Sequence, residues 1–365
     1  MKQSVKNGKI EFLRFVFCMA VLFYHTMKYT KGIPPCGDQI VVSLFPHGAL
    51  GVEFFFLLSG LLMARSAYKQ NQKNPVPDKL GTETFAFMVR KIKALWPYHF
   101  IAFFAIYVET VILKKLDLFY SIKLLFRSLP SLFMIQKSGV EFTNLNYVEW
   151  YLSAMFIVLI VLYPLCRRYY NMFTHVIAPF GCIMLAGYMQ HIYGSLTGVS
   201  VWTGLCYKSI LRAALEISLG AVCYEISRYL TENRQTQKNR FILTAVEILC
   251  YVLILGYMVT TADNQYQIYV LALFMVALPI SFSNCAFGSD FFNKRLFFFL
   301  GKLSLPIYVM QVFAFTISNI VLADMSNKFR AACILVITLS TALLCMFLGD
   351  KMKQLHKPVH GEASV

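Results

Sequence analysis

Residues 11–25, EFLRFVFCMAVLFYH, place a carboxylate (Glu11), a guanidinium (Arg14) and an imidazole (His25) in a stretch otherwise apolar enough for a bilayer. Arg14 and His25 are eleven residues apart. At about 100° per residue the second lies about 20° past three full turns, so both share one helix face, about 16 Å apart along the axis. Glu11, one turn before Arg14, is placed to pair with it at i,i+3. An ionisable group inside a span is costly unless it faces a protein interior or a wet cavity, so two on one face point to a cavity. The imidazole is the side chain best suited to remove a proton near neutral pH. The bland alternative has Glu11 and Arg14 snorkelling at one interface while His25 approaches the headgroups of the other. Cys18 shares the face, and a thiol can carry an acyl group as a thioester, but no base stands beside it in the sequence.

The elements that position these groups are membrane spans. The chain has 365 residues, 58% apolar and 16% aromatic, with a mean hydropathy of +0.59 and only 14% charged. A soluble domain carries about a quarter charged residues, so the composition is that of a polytopic membrane protein. The first segment has a basic start (Lys2, Lys6, Lys9) but no small-residue cleavage site follows, so it is expected to be retained. Apolar runs long enough to cross a bilayer occur at 10–28, 49–67, 96–113, 148–166, 172–191, 209–227, 241–261, 267–284, 303–322 and 329–349. The expected fold is therefore an all-α integral membrane protein with about ten transmembrane helices. The segment SIKLLFRSLPSLFMIQ (121–136) is short and interrupted by Pro130, and reads as an interfacial or re-entrant piece.

Ten spans put both termini on one side. Lys and Arg number 22 in the connections on that side and 10 on the other, so both termini are expected in the cytoplasm. The net charge of +16 is explained in the same way. Its spread over many loops argues against a nucleic-acid partner, and leaves membrane lipids as the bulk surroundings. Ten cysteines show no CxxC pair and no ligand spacing; nine lie in or beside apolar segments and Cys36 in a loop, which gives no disulfide framework and no metal site. No period of 20–50 residues repeats. Residues 1–350 read as one membrane domain and 351–365 as a short basic and polar cytoplasmic tail.

Several stretches together resemble the membrane acyltransferase family 3. They are R-x10-H in the first span, LGVEFFFLLSGLLM (50–63) with Gly51, Val52, Phe54, Phe55, Ser59 and Gly60 in the family's order, RKIKALWP (90–97), NYVEWYLSAMFIVLIVLYPL (146–165) and LGKLSLPIYVMQ (300–311). The resemblance covers most of the chain and implies ten spans. It also implies transfer of an acyl group, often acetyl from acetyl-CoA, to a hydroxyl of a glycan or lipid-linked glycan outside the cytoplasm. On that basis His25 is the expected general base, and Arg14 is expected to steady the donor or the developing oxyanion. Arg90, Lys91 and Lys93, at the cytoplasmic mouth of the third span, suit coenzyme A phosphates, against plain positive-inside charge as the alternative. Three positions depart from the family pattern. Ala94 stands where a second Arg is expected before Pro97, Met155 where a Glu often follows W-x-L-S, and Gln311 where a His often follows the late Tyr.

Other polar groups within the spans carry paired readings. Glu53, inside the matched motif, orients His25 or binds acceptor hydroxyls, or else is a helix-start carboxylate favoured by the macrodipole. Arg212 and Glu216, spaced i,i+4, form an intramembrane ion pair or bind acceptor. Ser59 is grouped with them as substrate-binding. Trp150 and Trp202 fit the interfacial aromatic belt, with sugar stacking as the functional alternative. His47 is a loop residue within reach of the same outer vestibule. The sequence thus supports a bacterial plasma-membrane O-acetyltransferase acting on a surface, secreted or lipid-linked polysaccharide, without a metal. A lipid-linked glycan transporter or flippase would use the same polar residues without a coenzyme A site, and a catalytically silent glycan-binding relative would fit the three departures.

Overall fold

The computed structural model describes residues 7–30, 44–77, 79–140, 142–233, 235–260 and 267–355, which are helical throughout their regular structure. Eleven helices carry the fold: α1 (Gly8–Tyr29), α2 (Gly51–Lys73), α3 (Leu80–Leu113), α4 (Leu118–Leu132), α5 (Trp150–Arg168), α6 (Tyr170–Tyr193), α7 (Lys208–Glu232), α8 (Gln237–Val259), α9 (Gln267–Ser283), α10 (Arg295–Ile320) and α11 (Asn327–Leu355). Every one of the ten expected spans coincides with one of them. Eight (α1, α2, α3, α5, α6, α8, α10 and α11) are long and apolar enough to cross a membrane. The other two differ for visible reasons. The 25-residue α7 carries Arg212, Glu216, Glu225 and Arg228 along its length, and α9 has 17 residues.

Several boundaries move. The third helix begins at Leu80, sixteen residues before the expected span. Its 34 residues reach about 51 Å at 1.5 Å each, so the turn carrying Arg90, Lys91 and Lys93 is helical rather than loop. The last helix continues through Lys351 to Leu355; residues 356–365 of the expected tail, and Cys36, lie outside the described residues. The Pro130 segment forms α4, a single amphipathic helix. It buries Ser121, Ser128 and Ser131 and turns Leu118, Phe119, Ile122 and Phe126 outward. In α6 the backbone widens to a π turn over Phe173–Ile177. Pro179 lies just beyond, has no N–H to give the preceding turn, and crowds the carbonyl four residues back.

The helices that frame the site pack by backbone contact. A Cβ on Gly60 of α2 would lie 1.9 Å from the Ile217 carbonyl oxygen of α7, and one on Gly220 of α7 would lie 2.1 Å from that of Leu57. Each glycine is the groove for the other helix's ridge, so the two axes approach as no side chain would allow. Buried polar ties fix the remaining elements. Lys9 of α1 meets Glu247 of α8 at 2.8 Å, and Glu247 also accepts from Ser281 of α9 at 2.6 Å. The fully buried Arg167 of α5 holds Glu83 of α3 at 2.7 Å and the Asn74 carbonyl after α2 at 2.8 Å.

Candidate active site

Two cavities open inside the bundle, one toward each end of α1. The first, about 200 Å³, is mostly apolar. It is lined by Leu58, Leu62, Leu95, Leu152 and Met155, with Arg14, Lys91, Ser59 and Tyr151 as its polar groups. The second, about 480 Å³, lies toward the His25 end. It mixes His25, Lys28, Lys137, Asn144, Ser200 and Arg212 with the aromatic rings of Tyr24, Tyr29, Tyr147 and Trp150. Val21, Val52 and Tyr308 line both cavities, so the two meet at these three side chains. The helical arithmetic therefore holds: Arg14 and His25 lie on one face of α1, and that face passes from one cavity to the other at Val21.

Gln311 orients His25. The Nδ1 of His25 lies 2.9 Å from Oε1 of Gln311, and Nε2 of Gln311 donates to the Tyr308 carbonyl at 2.8 Å. The second bond fixes which end of the amide faces the ring. An amide oxygen can only accept, so Nδ1 carries the ring proton and Nε2 keeps its lone pair. Gln311, which stands where the family pattern often has a histidine, supplies the orienting acceptor. Tyr308, three residues earlier on α10, gives its hydroxyl to the Val148 carbonyl. That bond ties Tyr308 to the segment that leads into α5.

The remaining predicted residues separate into groups. Arg14 meets Glu11 at 3.4 Å, the expected i,i+3 pair; its side chain is 34% exposed and its buried Nε has no hydrogen-bond partner among the described residues. Lys91 lines the first cavity and sits over the Phe87 ring, whereas Arg90 and Lys93 are exposed on the same helix outside it. Ser59 also belongs to the first cavity. Its hydroxyl donates to the Phe55 carbonyl at 2.7 Å and lies 3.2 Å from both the Tyr151 hydroxyl and the Met155 sulfur. Ser59 is thus not brought together with Trp150, Arg212 and Glu216, because residues 53 and 59 are nearly two turns apart on α2.

Glu53 does not reach His25. It is fully buried and pairs with Arg212 at 3.3 Å, while Arg212 Nε donates to Glu216 at 2.6 Å. The expected Arg212–Glu216 pair is a three-membered cluster locking α2 to α7 beside the Gly60–Gly220 contact, with the guanidinium edge at the second cavity. Glu53 Oε2 and Glu216 Oε2 are without hydrogen-bond partners among the described residues. Trp150 lines the second cavity; Trp202 is about half exposed against Tyr207, and His47 stacks on Tyr257.

Sequence reasoning missed three features. One is Gln311 as partner of His25. Another is a buried pair behind the second cavity. His99 Nδ1 lies 3.0 Å from Glu149 and its Nε2 lies 2.9 Å from the Leu132 carbonyl. The Leu132 carbonyl can only accept, so Nε2 carries a proton, and a second proton is shared between Nδ1 and the Glu149 carboxyl. The pair anchors the turn that carries Val148 and Trp150. The third is the set of loop cations around the second cavity. Lys137 is buried, donates to Ser200 Oγ at 3.4 Å and stands 4.7 Å over the Tyr207 ring. Burial lowers its pKa below the ordinary lysine value.

The bundle of membrane-length helices thus holds a mostly apolar cavity lined by Arg14 and Lys91 toward one end and an aromatic, polar cavity lined by His25 toward the other. The acyltransferase-domain model of acyltransferase family 3 matches residues 7–349, and the chain belongs to that family. Comparison with curated proteins and with solved structures returned no match.

Proposed function

We propose that this acyltransferase is an integral membrane O-acyltransferase of the bacterial inner membrane. It takes an acyl group, acetyl from acetyl-CoA, through the first cavity and passes it to a hydroxyl of a glycan or lipid-linked glycan in the second. The observation that carries this reading is the two-cavity arrangement. Arg14 and His25 line different cavities from one helix face, and Val21, Val52 and Tyr308 line both. In this reading α7 and α9 also span, giving ten spans, and the side richer in Lys and Arg, which carries the N-terminus and the first cavity, faces the cytoplasm.

The apolar lining of the first cavity suits an acyl-pantetheine arm. Its small volume leaves the nucleotide outside, where Arg90 and Lys93 stand. Lys91 and Arg14 hold the arm at the mouth. Arg14 is about 16 Å from His25 along α1, beyond the reach of its side chain, so its role is to hold the donor and not the oxyanion at the carbon His25 serves. The aromatic and polar lining of the second cavity suits sugar faces and hydroxyls. His25 Nε2 takes the proton of the acceptor hydroxyl. The O–C bond forms as the C–S bond of the thioester breaks, and the proton passes from His25 to the released thiolate.

The test is glycan mass spectrometry on cells carrying wild type, His25→Ala or no protein, with membrane insertion checked in parallel. An acyl mass increment present with wild type and absent with His25→Ala supports the reading and names the acyl group. Equal acylation in all three, with altered surface glycan abundance, would overturn it in favour of glycan transport.

A further inference from the structure

Among the described residues, lysines at and beside the second cavity have no carboxylate partner. Lys137 is 8% exposed and Lys208 is 2% exposed, and neither has a carboxylate within 4.0 Å among the described residues. The Nζ of Lys137 is held by Ser200 Oγ and the Tyr207 ring, both uncharged. The Nζ of Lys208 sits 4.8 Å over the Tyr193 ring and directly behind the cavity wall, 3.6 Å from where a Cβ on Gly198 would stand. Lys28, one turn past His25, lines the same cavity from α1 and is exposed. Arg212 completes the ring but is already matched by Glu53 and Glu216. No carboxylate is among the described residues that line the cavity.

A buried ammonium without a counter-ion is costly unless a ligand supplies the missing charge. Hydroxyls and aromatic faces solvate a lysine only in part. Lys28 of α1 and Lys137 of the segment before α5 line the cavity that also holds His25, and Lys208 at the start of α7 stands against Gly198 of its lining. We infer that the acceptor bound there is an anionic sugar, one whose acceptor hydroxyl lies on a residue carrying a phosphate or carboxylate that Lys137, Lys208 and Lys28 neutralise. The inference rests on the acyltransferase reading only in calling the occupant an acceptor; the charge requirement stands on the cavity itself.

The test is binding by the full-length protein in phosphatidylcholine nanodiscs, titrated with glucuronic acid, glucose 1-phosphate and glucose at constant ionic strength. Both anionic sugars are expected to bind about tenfold or more tighter than glucose, the scale of one charge-assisted contact. Lys137→Gln and Lys208→Gln are each expected to erase that preference without weakening glucose binding, and Lys137→Arg to keep it. His25→Ala keeps the preference while abolishing transfer. Equal affinity for all three sugars, or a preference unchanged in both glutamine variants, overturns the inference. An anionic lipid headgroup as the true occupant would appear as phosphatidylglycerol retained by wild type and lost from Lys137→Gln in native mass spectra, with no preference among the sugars. That outcome also overturns it. A preference for anionic sugars in a protein that transfers no acyl group supports the inference while removing the acyltransferase reading.

Discussion

The Nδ1 of His25 and the Oε1 of Gln311 lie 2.9 Å apart across α1 and α10, although 286 positions separate them in the chain. This bond gives the imidazole one tautomer and one orientation. Gln311→Leu leaves the ring free to turn and to protonate on either nitrogen. We expect acyl transfer to fall by roughly 10–100-fold, less than the 10²–10⁴-fold that a positioned base typically contributes, with the KM for both substrates little changed. Gln311→Glu keeps an acceptor in the same place and is expected to retain more activity than Gln311→Leu. Steady-state kinetics on the purified variants decide this; equal rates for wild type and Gln311→Leu would remove Gln311 from the mechanism.

His25→Gln keeps the volume of the ring and removes the base. Transfer should drop by about 10²-fold or more while donor affinity, read by acetyl-CoA binding, stays at the wild-type value, because on the proposed reading the donor occupies the first cavity, which His25 does not line. Loss of donor binding in this variant would mean that the two cavities are not separate sites.

Lys91 and Arg14 are distinguished from the neighbouring basic residues by lining the first cavity. Lys91→Ala is expected to raise the KM for acetyl-CoA by about tenfold, the scale of one charge-assisted hydrogen bond, and to leave the acceptor KM alone. Lys93→Ala removes an exposed charge and is expected to change the donor KM by only a few-fold and in a salt-dependent way. Equal effects at 91 and 93 would assign the donor contact to the surface instead of the cavity.

Glu149 is fully buried and its carboxyl shares a proton with His99 at 2.9 Å. His99→Leu strands that carboxylate, and a broken buried pair typically costs about 3–5 kcal/mol. The double variant His99→Leu, Glu149→Gln should recover much of the loss. Thermal unfolding in detergent measures both. A double variant less stable than His99→Leu would show that the pair is not the origin of the effect.

Gly60→Val forces a branched side chain into the Ile217 backbone, and overpacking of this kind typically costs about 1–3 kcal/mol. Because the same contact sets Glu53 against Arg212, acceptor binding should weaken along with stability. Gly81→Val on α3 meets no atom within 4 Å and serves as the control; a similar loss there would mean that helix propensity, not crowding, is the cause.

The parts of this site that the sequence discloses are those governed by one helix. The Arg14–His25 face follows from eleven residues at 3.6 per turn, and the Glu11–Arg14 and Arg212–Glu216 pairs follow from i,i+3 and i,i+4 spacing. The ten helices follow from apolar run length, although α3 runs sixteen residues further back because its charged first turns need no lipid. What stays hidden depends on which helix meets which. Gln311 reads as a lost histidine until α10 is seen against α1. Glu53 reads as a partner for His25 until Gly60 and Gly220 draw α2 onto α7 and give it to Arg212. Lys137 and Lys208 read as loop charges, because only the packed loops reveal that they are buried with no carboxylate beside them among the described residues.

Val21, Val52 and Tyr308 meet where the two cavities approach, and the Tyr308 hydroxyl is tethered to the Val148 carbonyl. On the proposed two-sided reaction, the protein must pass an acyl group without becoming a conduit for ions. Of the three side chains that line both cavities, two bear only methyls and the third is a ring whose hydroxyl is already engaged, so on that reading an acyl carbon meets apolar surface there while hydrated sodium gains little solvation. The same three residues therefore set the size of what can be handed over, and widening the junction with Val21→Gly would be expected to admit longer acyl groups and protons together.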